Sequence, residues 1–292
     1  MRKTVSLLLL LALLLSLPLP ASAESMPSRA VIGADLDEGQ IEAVYALFGV
    51  RRGSVPELRV TNAEERESLT GYVDESVIGT RSISCVYMEL LPEGGGLNVE
   101  THNITWYTGQ MYANALLTAG ITDARIIVAA PFEVSGTAAL TGIYKAYEDM
   151  TGVVLDEQAK HAGTQELTVT GDLAEEIGST DSASIVGELK SVLSRTQELS
   201  DEELRGVITE IAERYKVKLT ETQIGQLVSL CRSIQSLNPE QIKQRVEEFQ
   251  GTLEKVSEAK DKVVGFAETV KQLAQSVSEF FGKLSELLDK FK

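Results

Sequence analysis

The pattern of the chain changes near residue 180. Before that point short β-branched runs alternate with segments of helical period. After it every segment has helical period, and a single proline, Pro239, interrupts the run. A sheet must bury its apolar faces under another layer, and a string of helices must bury its stripes against one another. The switch therefore predicts an α+β / α/β fold: an N-terminal mixed β-sheet covered by helices, then an all-α C-terminal region with a long amphipathic helix. Charge follows the same division. The net charge is −16, and most of the excess acid lies before residue 180. With 43% apolar residues the chain can build a core.

Within the first part, Ala30-Val31-Ile32-Gly33-Ala34 reads as a buried strand. Asp37 and Gln40 form a capping box for a helix to Phe48. Leu58-Arg59-Val60-Thr61 is a second strand, and Asn62 with Glu65 are expected to cap a short helix after it. Residues 82–91 and 97–105 are extended runs joined by Pro92-Glu93-Gly94-Gly95-Gly96, whose turn chemistry predicts a hairpin. A helix is expected from Trp106 to Ala119. Arg125 to Ala130 is the most strand-like run in the chain, and Ser135-Gly136-Thr137 opens a helix to Met150. In the second part Ser200/Glu203 and Thr220/Gln223 are capping boxes, and Asn238-Pro239 starts the last helix.

The two ends carry separate signals. Arg2 and Lys3 precede an apolar stretch from Val5 to Leu19, and Ala21-Ser22-Ala23 follows as a cleavage site. Residues 1–23 are thus expected to be a removed export signal. The stretch falls short of the ~20 residues a spanning helix needs, so no transmembrane anchor is expected after cleavage. At the other end apolar residues recur at three-four spacing from Val246 and Phe249 to Leu288 and Phe291, and a second row joins from Phe266. That stripe must meet the chain's own helices, a second copy in a coiled coil, or a membrane surface. The divisions expected are residues 1–23, 24–180, 181–238 and 239–292.

Chemistry is sparse. An acidic chain of this kind lacks the cationic face that nucleic acid requires, so no nucleic-acid partner is expected. There is no dinucleotide fingerprint, P-loop, H-E-x-x-H or G-x-S-x-G. No cofactor or metal is expected: Asp35, Asp37 and Glu38 fit no calcium loop, and a capped helix start accounts for them. His102 sits at the end of an expected strand, where it acts as a base only if a carboxylate orients it. A Cys85–Cys231 bridge would staple the two parts after export, and the plainer reading is two buried, unpaired thiols. The loop from Ala129 to Leu140 runs from a strand end into a helix, so the N–H groups at Ser135, Gly136 and Thr137 are placed to hold an anion or a carbonyl oxygen. The plainer reading is that Ser135 caps the helix.

Several segments carry a resemblance: Gly33-Ala34-Asp35-Leu36, Thr61-Asn62-Ala63-Glu64-Glu65, Val77-Ile78-Gly79, Asn103-Ile104-Thr105, Met111-Tyr112-Ala113-Asn114-Ala115, Thr118-Ala119-Gly120-Ile121 and the Ala129 to Gly142 loop. Together they resemble the YpuA-like family of secreted bacterial proteins, classed as domain of unknown function 1002, over roughly Val31 to Leu193. The resemblance implies export and an envelope or extracellular role; it supplies no activity, ligand or catalytic residue. The expectation is an exported, non-catalytic binding or interaction protein, meeting an envelope component, another protein or a second copy through its last helix. The alternative is a hydrolase or transferase acting on an envelope polymer, with a site near Ser135, Thr137 and His102.

Overall fold

The run from Arg125 to Ala130 is apolar on both faces, and a strand of that kind belongs in the middle of a sheet. In the computed structural model, which describes residues 26–70 and 78–250, it lies second from one edge. The expected export signal and the last helix beyond residue 250 lie outside the described residues.

The elements of the first part are β1 (Ser28–Gly33), α1 (Glu38–Phe48), β2 (Glu57–Val60), α2 (Asn62–Leu69), β3 (Cys85–Leu90), β4 (Leu97–Ile104), α3 (Gly109–Ala119), β5 (Ala124–Val134) and α4 (Thr137–Thr151). Their order is the one the sequence predicts. The sheet runs β2-β1-β3-β5-β4, and β3 alone is antiparallel to its neighbours. The expected hairpin between β3 and β4 does not form, because β5 is inserted between them. The glycine turn is present, with Gly94 and Gly96 at positive φ. But Gly96 N–H donates to Asp123 Oδ1 at 2.9 Å, and Ala124 N–H donates to the Gly96 carbonyl at 3.0 Å. Those bonds seat the start of β5 beside β4. The more apolar strand takes the buried place, and β4, with exposed Asn98 and Glu100 alternating with Leu97 and the partly buried Val99, takes the edge.

Alternation along the strands sorts side chains to two faces. Val31, Val86, Met88, Ile126 and Val128 meet α3 and α4 through Tyr112, Leu116, Leu140 and Ile143. Ile32, Cys85, Tyr87 and Ile127 meet α1 through Ile41, Val44, Tyr45 and Phe48. The Asp37–Gln40 capping box that starts α1 is formed.

Five helices follow: α5 (Glu157–Ile177), α6 (Ser179–Val192), α7 (Asp201–Arg214), α8 (Glu221–Gln235) and α9 over residues 239–250. The boxes at Ser200/Glu203 and Thr220/Gln223 are both present, and Asn238 Oδ1 accepts from Gln241 N–H at 3.1 Å. These helices pack around Ile185, Leu189, Leu204, Ile208, Leu227 and Ile234. Three of them serve both parts of the molecule; α6 gives Ala183 to the sheet-side core and Ile185 and Leu189 to the helical one. α5 gives Leu167 to the sheet-side core and Ala162 and Val169 to the helical one. α9 gives Val246 and Phe249 to the first and Ile242 to the second. Cys85 and Cys231 are buried and unpaired, one in each core. Among the described residues no helix is long and apolar enough to cross a membrane.

Candidate functional site

Four of the five strands run the same way, so the C-terminal ends of β1, β2, β4 and β5 open on one edge of the sheet. In sheets of this kind ligands bind beyond those ends. Most of the segments behind the resemblance end there too: Gly33 to Leu36, Thr61 to Glu65, Asn103 to Thr105 and the loop into α4. The backbones draw close at this edge. A Cβ at Gly33 would collide with the Ser82 carbonyl, and Asp35 Oδ2 accepts the Ser82 N–H at 2.7 Å.

Two expected caps are corrected here. The box at the start of α2 is Thr61 with Glu64, one residue earlier than Asn62 with Glu65. Thr61 keeps the extended backbone a cap needs, whereas Asn62 already belongs to the helix. The shift releases Glu65, which turns inward and is 1% exposed. At α4 the cap residue is Gly136, with φ 101° and no side-chain cap bond, so Ser135 does not cap. A side chain is barred at Gly136: its Cβ would lie 2.6 Å from both Ile104 Cγ2 and the Tyr112 hydroxyl.

These corrections meet in one contact. The Thr137 hydroxyl, in the first residue of α4, donates to Glu65 Oε1 at 2.6 Å. An anion at a helix start is favoured by the unpaired N–H groups and the helix dipole. At this helix start the carboxylate is the chain's own. Burial pushes the Glu65 pKa up to about 7; Thr137, Asn62 and Arg66 offset only part of that push, and nearby Asp35 adds to it. Glu65 Oε2, Asn62 Nδ2 and Thr141 Oγ1 are buried without a hydrogen-bond partner. Unpaired buried polar atoms of this kind are rare in folded proteins.

A row of aromatic rings leads from this pair to the surface. Tyr112 donates its hydroxyl to the Gly136 carbonyl at 2.7 Å. Tyr107 packs edge-on to Tyr112 with centroids 5.7 Å apart, and Trp106 stacks on Tyr107 at 5.7 Å with planes 7° apart. Trp106 borders an open groove of about 760 Å³ between the β4–α3 loop, the end of β5 and the end of α5. A bulge in β4 between His102 and Ile104 aims the loop there, with Asn103 at φ 58° donating its amide to the Ala130 carbonyl at 2.7 Å. Thr105 then bonds Val134 through both its N–H and its hydroxyl. α3 accordingly starts at Gly109, capped by Thr108, and Trp106 lies in the loop before it instead of opening the helix.

The sequence-derived site residues are therefore spread over the edge. Ser135 lines the groove, Gly136 is the turn, and Thr137 faces Glu65. His102 pairs in register with Ala129, whose side chain belongs to the α1 face, while α4 covers the other face. The structure joins Ser135, Gly136 and Thr137 and leaves His102 on the far side of the sheet. Glu65 and Trp106 were missed. Glu65 stands beside a second glutamate in the right register to cap, and Trp106 adjoins an apolar helical run; its being the only tryptophan, in a strand-to-helix loop, was the available signal. Among the described residues no group of three or more His, Cys, Asp or Glu is placed to hold a metal.

The family described as protein of unknown function (DUF1002) matches residues 32–256. The chain is 36% identical over 253 residues to the uncharacterized protein YpuA of Bacillus subtilis (strain 168), which covers 86% of this chain and 84% of that protein. No solved structure matches it.

Proposed function

This chain belongs to the family described as protein of unknown function (DUF1002), a description that assigns no activity, and we propose from its own residues that it is an exported, envelope-associated or extracellular binding module. Export rests on the leader residues from Arg2 to Ala23. The binding role rests on one observation: four parallel strands end at an edge that carries an open groove and buried polar atoms left unpaired. In this reading residues 24–180 form the binding head and residues 181–238 a helical support. The apolar stripe that the sequence carries over 239–292 meets an envelope component, another protein or a second copy. The test is fractionation of cells making the intact protein, followed by sedimentation of the protein with isolated envelope material. Retention in the cytoplasm, or failure to sediment, would sink the proposal.

A second reading, a hydrolase or transferase acting on an envelope polymer, draws on the Thr137–Glu65 contact. A carboxyl that titrates near neutrality beside a hydroxyl is suited to proton transfer. Turnover of envelope polymer that disappears in both Thr137→Ala and Glu65→Gln would favour it over the binding module. Unchanged polymer after incubation with the intact protein would count against it.

A further inference from the structure

The groove beside Trp106 has a lining that selects among ligands. Its polar rim is formed by Thr105, Thr108 and Ser135 with the exposed carboxylates Glu133 and Glu175, and Trp106 supplies an aromatic wall. Among the described residues no Lys, Arg or His lines it. The indole Nε1 is turned away from the groove and buried against Gly171 of α5, so Trp106 offers the groove its ring and not its N–H.

We propose that this groove binds a saccharide segment, neutral or amino-bearing, of an envelope glycan; the proposal rests on the binding-module reading above and names its ligand class. Carboxylates accept and never donate, so Glu133 and Glu175 call for a ligand rich in O–H or N–H donors. A sugar ring offers such O–H donors along its edge, and its C–H face is apolar and carries the slight positive charge that an aromatic face attracts. The Thr105 hydroxyl, already donating to the Val134 carbonyl, keeps its oxygen as an acceptor, and the Thr108 hydroxyl, already accepting from the Met111 N–H, keeps its hydrogen as a donor. A phosphate-bearing or carboxylate-bearing polymer finds no cation here and meets two like charges instead, which disfavours it.

The chain's single tryptophan is in the groove, so its fluorescence reports occupancy directly. The intact protein is titrated with a tetramer of N-acetylglucosamine, with inorganic polyphosphate and with a lysine-containing tetrapeptide. The expected result is a saturable change in Trp106 emission with the tetramer alone. Calorimetry on the double variant Glu133→Gln/Glu175→Gln, whose sites are exposed, and on Trp106→Phe should then read at least tenfold weaker binding with unchanged circular dichroism. No saturable change at millimolar tetramer, a stronger response to polyphosphate or to the peptide, or undiminished binding in the double variant would each overturn the proposal. Sedimentation with whole envelope material separates the two failures. Retention there without tetramer binding removes the saccharide assignment and leaves the binding module standing; loss of both removes both.

Discussion

Two buried carboxylates in this protein live under opposite conditions. Glu166, on α5, is fully enclosed where the sheet-side and helical cores meet, and it is answered on every side. Lys190 Nζ lies 2.9 Å from Oε1, Thr118 donates to Oε2 at 2.5 Å, and Lys190 also reaches the Asn114 carbonyl at 2.6 Å. Glu65 is 1% exposed, but the Thr137 hydroxyl gives it its one short hydrogen bond, with Asn62 and Arg66 adding weaker support. Burial raises the pKa of both carboxyls and lowers that of Lys190; at Glu166 a buried ammonium in direct contact pulls back, and at Glu65 Arg66 pulls back less than burial pushes. A satisfied network of this kind holds elements in place. A half-satisfied one at the open edge of a sheet costs stability and is kept where it does something else.

The largest effect should come from breaking the satisfied network. Lys190→Met leaves the buried Glu166 carboxyl without its cation, answered by Thr118 alone, and should cost about 4 kcal/mol in denaturant unfolding. Adding Glu166→Gln should recover most of that loss. If the single variant costs under about 1 kcal/mol, the contrast drawn between the two carboxylates fails.

Next in size is the pH response of Glu65. Its folded pKa of about 7 lies above the ordinary 4.5, so the folded protein holds this proton more tightly than the unfolded chain. The stabilisation is full below pH 4.5 and fades as pH rises through 7, by up to about 3 kcal/mol. Unfolding measured at pH 5 and pH 8 should show that loss in the parent protein and a flatter response in Glu65→Gln. An equal slope in both would place the titration elsewhere.

Gly136→Ala probes the turn that brings Thr137 to Glu65. With φ 101° and two atoms in the way, the change should cost about 2 kcal/mol. It should also shift the pH response, which a remote defect would leave alone. Thr61→Ala removes the cap of α2, the helix that carries Glu65. It should cost about 1 kcal/mol and leave the Lys190 network untouched, as a melting shift without a change in the Lys190→Met penalty would reveal.

What the sequence by itself determined is local. Element order, the boxes at Asp37, Ser200 and Thr220, and the helix start at Asn238 follow from bonds within three or four residues, which the neighbouring side chains decide on their own. The split between a sheet part and a helical part followed from period alone. Tertiary structure decided everything that depends on distant partners. Turn chemistry at residues 92–96 bends the chain either way, and the greater burial of β5 chose which strand lies beside β3. Thr61 and Asn62 are both good caps, and only packing set the register that sends Glu65 inward. Glu65 meets Thr137 across 72 residues, and Glu166 meets Lys190 across 24. A carboxylate's partner, and so its charge, is a property of the folded neighbourhood; in the sequence Glu65 and Glu166 are the same residue.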